Sequence, residues 1–309
     1  MTAVPDTSGS QPVEFTSDGA TIRGRLYLPA RRPAPIVVMG HGFSATIPMV
    51  MNRYAETFRD HGLAVLAFDH RGHGTSDGEP RGEINYWVQA RGYIDAIGAA
   101  HAVAEIDQSR LALWSDSMST RVALGVTALD ERVSALVCQV PALGGAMGVD
   151  DPDGTRLTAM ERFLTKGEVR RPSDAWVSSA VVSADQVASP SALKPLTAFR
   201  WFIEYGGRYG SGWTNRVVFT TASDAPDFDT FACAPRVRVP TMFAMSPDDE
   251  MEGAASDVTR AVFDRIPGPK ELMEVDGGHF GLLEYPSDAF ARASQEQAAF
   301  LARTLGVTE

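Results

Sequence analysis

The feature that most constrains this chain is a repeated exchange between two kinds of apolar pattern. Ile36–Met39, Leu63–Phe68, Leu111–Trp114, Val133–Val140 and Thr241–Met245 are short, mostly apolar runs, as strands buried on both faces require. Between them apolar residues recur at helical spacing. Met51, Tyr54, Ala55 and Phe58 do so ahead of a closing Gly62, and 87–104, with Tyr93, Ile94 and Ile97 on one side, reads as a second helix. Helices are also predicted over Arg121–Leu129, Ala254–Ile266 and Ala289–Leu305, with a further strand at Glu271–Val275. A chain that alternates in this way covers both faces of one sheet with crossover helices, so the predicted class is α/β with a mostly parallel, doubly wound sheet. Ahead of it, Val13–Thr16 and Thr21–Leu28 alternate around Ser17-Asp18-Gly19 and read as an antiparallel hairpin.

Between Pro141 and Arg236 the rhythm is lost. Helix-like pieces at Leu157–Leu164 and Leu193–Tyr205 are separated by Gly- and Ser-rich breaks and accompanied by many aromatics. The expected organisation is a flexible N-terminus over 1–12, a core made of 13–141 and 237–309, and an inserted helical cap over 142–236. A formal charge of -11 and a pI near 5.0 exclude a basic phosphate-binding face and an anionic membrane surface as partners. No apolar run approaches the roughly 18 residues of a membrane span. The N-terminus lacks the basic start and apolar stretch of a secretory signal, and the two cysteines, Cys138 and Cys233, do not make a disulfide framework. The protein is therefore expected to be cytoplasmic, with Cys138 a buried thiol.

Leu111–Thr120 runs from an apolar strand straight into a helix and carries Ser115, Ser117 and Ser119. A serine at a tight strand-to-helix turn projects from the sheet edge, provided that the residues two before and two after it are small. Serines meet that need around Ser117. If Asp116 were the nucleophile instead, its flanks would be Trp114 and Met118, which do not fit such a turn. A serine hydroxyl needs an adjacent base, and of the six histidines only His279, behind Gly277 and Gly278, follows Ser117. The acid that orients it is expected after the preceding strand, where Asp248, Asp249 and Glu250 stand. Asp249 is the choice and Asp248 its competitor, with at least one of the three expected to be solvated. No second ligand cluster accompanies this run, so no metal is expected, and no cofactor. The oxyanion would be met by the backbone N–H groups of Met118 and Phe43, the latter in the Gly40-His-Gly-Phe loop that His41 braces. Asp69, Arg71 and Ser76, in Asp69-His-Arg-Gly-His-Gly, read as structural; the string lacks the glycine spacing and lysine of a phosphate loop.

Four ordered motifs, Gly40-His-Gly-Phe, Asp69-His-Arg-Gly-His-Gly, the Ser117 turn and Gly277-Gly-His, together resemble the α/β-hydrolase superfamily. The resemblance spans nearly the whole chain outside Pro141–Arg236. Within the superfamily, the string through Pro80 and Pro269-Lys-Glu-Leu ahead of Gly277 is similar to a group of dienelactone-hydrolase-like proteins, short-chain acyl esterases and fungal polyketide transferases. Such relatives usually have glycine where this chain has Ser115. The resemblance implies an α/β-hydrolase fold.

Leu143, Met147, Trp201, Tyr205 and Trp213 are the residues expected to contact the substrate, an acyl group with apolar character. The leading expectation is a serine esterase or thioesterase working through an acyl-enzyme on Ser117. Transfer of the acyl group to an alcohol or amine with the same residues is the alternative, and a binding protein on a hydrolase fold is the alternative of another class. The expected partner is a small-molecule acyl substrate, with neither nucleic acid nor membrane, and a homodimer is left open.

Overall fold

A computed structural model describes residues 9–166, 176–222 and 224–307. The flexible start expected over 1–12 lies outside the described residues up to residue 8, and Ser10–Pro12 already belong to the first strand. Eight strands form one sheet: β1 (Ser10–Ser17), β2 (Ala20–Tyr27), β3 (Ala34–Gly40), β4 (Ala64–Phe68), β6 (Ile106–Asp116), β7 (Ala135–Gln139), β11 (Thr241–Met245) and β12 (Lys270–Glu274), with β5 (Glu83–Ile84), β8 (Val177–Val182), β9 (Ser191–Leu193) and β10 (Val217–Phe219) in a second, smaller sheet. The order in the large sheet is β1-β2-β4-β3-β6-β7-β11-β12. The hairpin pairs β1 with β2 antiparallel, β2 joins β4 antiparallel, and every later pairing is parallel.

The central strands are buried on both faces because their alternate side chains feed two separate cores. Ile36 and Val38 of β3 point to one face with Leu111 and Leu113 of β6, where they meet α2 (Tyr86–His101), α3 (Ser119–Leu129) and α7 (Ser256–Arg265). Val37 and Met39 point to the other with Ala112 and Trp114, where α1 (Met51–Asp60) and α9 (Asp288–Thr304) pack. The helices have local reasons to start where they do: Asn85 caps α2 by accepting from Trp87 N and Val88 N, and Ser287 caps α9 by accepting from Phe290 N. Among the described residues, no helix is long and apolar enough to cross a membrane. Cys138 and Cys233 are buried free thiols.

The segment expected to be a helical insertion carries α4 (Thr155–Lys166), α5 (Leu196–Gly206) and the short α6 (Thr230–Cys233). It also contributes β8, β9 and β10, which the aperiodic sequence did not suggest. These join β5 from the first half of the chain in the order β5-β10-β8-β9. The last helix before α9, α8 (Gly278–Gly281), is a single turn that follows β12. The carboxyl ends of β3, β6, β11 and β12 thus deliver Gly40–Phe43, Ser117, Asp248–Glu250 and His279 to the same end of the parallel sheet, where open α/β sheets hold their sites.

Candidate active site

Ser117 stands at the join of β6 and α3 with φ +50°, a left-handed conformation unusual for a residue with a Cβ. Such strain persists where the surroundings over-determine it. Here the Ser117 N–H donates to the Gln139 carbonyl at 2.9 Å, and the Ser117 carbonyl accepts from Thr120 N and Ala142 N, both at 3.1 Å. Gly42 is required beside it: a Cβ there would lie 2.8 Å from the Ser117 Cβ and 3.1 Å from the Asp116 carbonyl.

The three separated residues form one hydrogen-bonded chain. The His279 Nε2 lies 2.8 Å from the Ser117 Oγ, and the Nδ1 lies 2.7 Å from the Asp249 Oδ2. The His279 and Asp249 side chains are 2% and 4% exposed, so solvent barely screens the pair. Gly277 at φ +130° and Gly278 at φ +69° allow the chain to turn directly into the helical turn that carries the imidazole.

The acidic run after β11 divides its work: Asp248 and Glu250 are exposed, as expected of at least one of the three, and both also bond the loop that carries His279. Asp249 takes the imidazole. Asp248 Oδ1 accepts from Ser246 Oγ, from Gly278 N at 3.2 Å and from Gly277 N at 3.4 Å. Its carboxyl is held below the ordinary range by these bonds, the one from Ser246 foremost. Glu250 Oε2 accepts from the His279 backbone N–H at 2.8 Å, and its Oε1 pairs with Thr197 Oγ1. Two acids therefore hold the loop and one holds the ring.

Ser119, standing where a glycine is usual, is fully buried and useful there. Its Oγ donates to the His41 carbonyl and lies 3.1 Å from His70 Nε2, so the helix start and the Gly40–Phe43 loop are tied together. His70 N–H donates to His41 Nε2 at 3.2 Å, which makes Nδ1 the protonated nitrogen of His41 as it faces the Gly42 carbonyl at 2.9 Å. Burial pushes His41 down to about 4 and His73 to about 3, and lowers His70 as well, so this cluster is uncharged bracing rather than a source of protons near neutrality. Asp69 is structural in the same sense. It accepts from Ile47 N at 2.9 Å and Thr75 N at 3.0 Å, while burial raises it to about 6. Ser76 Oγ donates to the Asp69 carbonyl, and Arg71 pairs with the buried Glu83 at 2.5 Å.

Two cavities meet at Ser117. A narrow one of about 30 Å³ is lined by Asp116, His279, Phe43, Trp201, Phe202 and Phe280, among others. A wider one of about 290 Å³ is lined by Tyr86, Met118, Arg121, Phe219 and Thr221, with Phe43, Leu193 and Met251 shared between the two. Phe43 and Met118 both line the wide cavity with Ser117, and among the described residues neither backbone N–H donates to a protein acceptor. Of the expected substrate contacts, Trp201 lines the narrow cavity, its indole N–H donating to the Leu283 carbonyl at 2.8 Å.

The other four line neither cavity. Leu143 is 1% exposed in the core, Met147 is 56% exposed at the surface, Tyr205 bonds to the backbone of Tyr285, and Trp213 packs against Phe202 and donates to Ser44 Oγ. Asp116, the other candidate nucleophile of the sequence, is a buried carboxyl beside the serine, raised to about 7 by burial against the opposing Gly42 N–H and His279. Arg121, Tyr86, Phe219 and Met251 carried no signal in the sequence.

Residues 31–207 match the family model described as Hydrolase_4, serine aminopeptidase, S33. The chain belongs to the α/β-hydrolase superfamily. This α/β-hydrolase is 36% identical to a thiohydrolase of Eupenicillium brefeldianum over 88% of either chain, and 34% identical to the polyketide transferase ATR5 of Stachybotrys chlorohalonatus over 96% of this chain and 97% of that one. Among solved structures, the α/β hydrolase GrgF from Penicillium superposes with a TM-score of 0.75 at 25% identity, over 96% of this chain and 99% of GrgF. The chain is an enzyme of this superfamily, and its mostly parallel sheet with flanking helices is the superfamily's fold.

Proposed function

We propose that this α/β-hydrolase cleaves a carboxylic ester or thioester through an acyl-enzyme on Ser117. The observation that carries the reading is the unbroken chain from Ser117 Oγ to His279 Nε2 and from Nδ1 to Asp249 at 2.8 and 2.7 Å. The hydroxyl oxygen attacks the acyl carbon while its proton passes to Nε2, and the carbonyl π pair moves onto oxygen. The Phe43 and Met118 N–H groups meet that oxyanion, each worth about 3 kcal/mol in the transition state. Collapse expels an alcohol or a thiol, either of which takes the proton from the imidazolium and leaves His279 neutral. Water then repeats the sequence with His279 again as base and frees the acid. Asp249 keeps the imidazole in the tautomer that can accept from Ser117. Residues 142–236 serve as a cap that walls the site with Leu193, Trp201, Phe202 and Phe219.

A second reading, transfer of the acyl group to an alcohol or amine, is favoured by the 34% identity to a polyketide transferase along nearly the whole chain. The chemistry differs only in the acceptor. A fluorophosphonate probe should label Ser117, and Ser117→Ala should abolish the label; an unlabelled wild-type protein would defeat both readings. Turnover of short p-nitrophenyl esters with and without added alcohols then separates water from another acceptor.

A further inference from the structure

Arg121 is the cation that the chemistry above leaves unused. It lies one turn beyond Ser117 in α3 and lines the wide cavity that opens on that serine. Its guanidinium sits over the Tyr86 ring at 5.1 Å, and one Nη donates to the Leu143 carbonyl at 3.0 Å. Its Nε is buried and has no acceptor among the described residues, and no carboxylate among them forms an ion pair with it. The rest of that wall is mostly apolar or uncharged, including Ile84, Met118, Leu193, Phe219 and Met251. The second Nη makes no hydrogen bond among the described residues and is not sealed from solvent as Nε is, and a partly buried guanidinium with such a donor and no counter-charge gains most from an anionic oxygen brought by a ligand.

The two cavities are not equivalent for the reaction. A leaving alcohol collects its proton from His279 Nε2, so it departs on the side that His279 lines, which is the narrow cavity. The acyl chain is left with the wide cavity, alongside Met118 and Arg121. Resting on the reading of Ser117 as nucleophile, we infer that the wide cavity is the acyl pocket and that Arg121 selects acyl groups carrying an anionic oxygen, either a terminal carboxylate or the enolate of a 1,3-dicarbonyl. The Tyr86 ring and the Leu143 carbonyl hold the guanidinium in place, so Arg121 acts as a specificity residue that touches the acyl chain and takes no part in bond making.

The test compares three thioesters of one thiol: hexanoyl, adipoyl and 3-oxohexanoyl. The wild-type enzyme is expected to favour at least one of the latter two over hexanoyl in kcat/KM by roughly 10- to 100-fold, the range of one charge-assisted hydrogen bond. Which one it favours tells a carboxylate from an enolate. Arg121→Met should bring that ratio to within about threefold of one, and Arg121→Lys should keep part of it, since a point charge lacks the planar fork. A wild-type ratio near one, or a ratio that survives in Arg121→Met, overturns the inference while leaving Ser117 chemistry standing. Binding of the same three thioesters to Ser117→Ala, measured by calorimetry, does not depend on turnover. An enzyme inert toward all three esters that still binds one of the acidic ligands more tightly through Arg121 would sink the reaction and keep the pocket; no preference in that assay sinks the pocket.

Discussion

Replacing Asp249 by Asn should lower kcat/KM on the order of 10⁴-fold, and replacing Asp248 by Asn should cost about tenfold or less. The two carboxylates are adjacent in the chain and differ in what they face. Asp249 Oδ2 is 2.7 Å from Nδ1, with the two side chains 4% and 2% exposed, so the attraction to an imidazolium is nearly unscreened. At an effective dielectric of about 20, unit charges about 4 Å apart attract by roughly 4 kcal/mol. An asparagine amide can also donate to Nδ1, which turns Nε2 into the protonated nitrogen and leaves Ser117 facing an N–H that cannot take its proton. The two losses together reach the roughly 5.5 kcal/mol that four decades of rate represent. Asp248 is exposed, and its bonds to Gly277 and Gly278 are long, at 3.4 and 3.2 Å. Asparagine keeps an oxygen to accept them, so about 1 kcal/mol is the most that the loop should lose. The assay is kcat/KM on a p-nitrophenyl ester, with thermal melting to show that both variants fold. A folded Asp249→Asn within tenfold of wild type, or an Asp248→Asn that is the worse of the two, refutes the division of labour.

Two further outcomes follow from the ground beside the serine. Asp116 ionises near 3.8 in an unfolded chain and near 7 in the fold. Between those values the native state holds a proton that the unfolded state has released, so stability falls as pH rises. Asp116→Asn removes that titration. Its Tm relative to wild type should climb between pH 4 and pH 7 by the equivalent of a few kcal/mol and level off above, whereas parallel Tm curves for the two proteins would mean that burial does not hold Asp116 protonated. Gly42→Ala puts a Cβ 2.8 Å from the Ser117 Cβ. It should cost about 1–3 kcal/mol of stability and slow fluorophosphonate labelling at Ser117 by about 100-fold or more; labelling at the wild-type rate would show that the loop yields without moving the serine.

What could be read from the sequence is what depends on order along one strand and the turn that ends it. Ser117 follows β6, the acid run follows β11 and His279 follows β12, so each stands directly behind a strand, Ser117 between two serines and His279 behind two glycines. The same locality explains why Asp249 and Asp248 stayed hard to separate. Both occupy one turn after one strand, and only the three-dimensional path of Gly277–Gly278 decides which carboxylate meets the ring and which meets the backbone. Three strands of the smaller sheet were illegible because two or three residues, as in Glu83–Ile84 and Val217–Phe219, have no period to detect, and the six of β8, Val-Ser-Ser-Ala-Val-Val, do not alternate.

The substrate contacts failed for a different reason. Trp201, Tyr205 and Trp213 belong to one aromatic cluster, and an aromatic that packs inside the cap is written with the same letter as one that faces the serine. Trp201, on α5, reaches the narrow cavity while Trp213, in the loop beyond that helix, packs on Phe202, and the difference lies in where the backbone places each ring rather than in residue type. The wide cavity is less legible still, because Phe43, Tyr86, Arg121, Phe219 and Met251 come from five separate segments. Its single guanidinium looks in the sequence like one more arginine on the first turn of a helix. Its distinction is that no carboxylate among the described residues meets it there, and that is a property of the fold which no spacing along the chain encodes. Enzymes that share the order Ser, Asp, His can therefore agree in reaction and differ in the acyl group they accept, because the reacting groups are set by strand ends and the selecting groups by how distant segments meet.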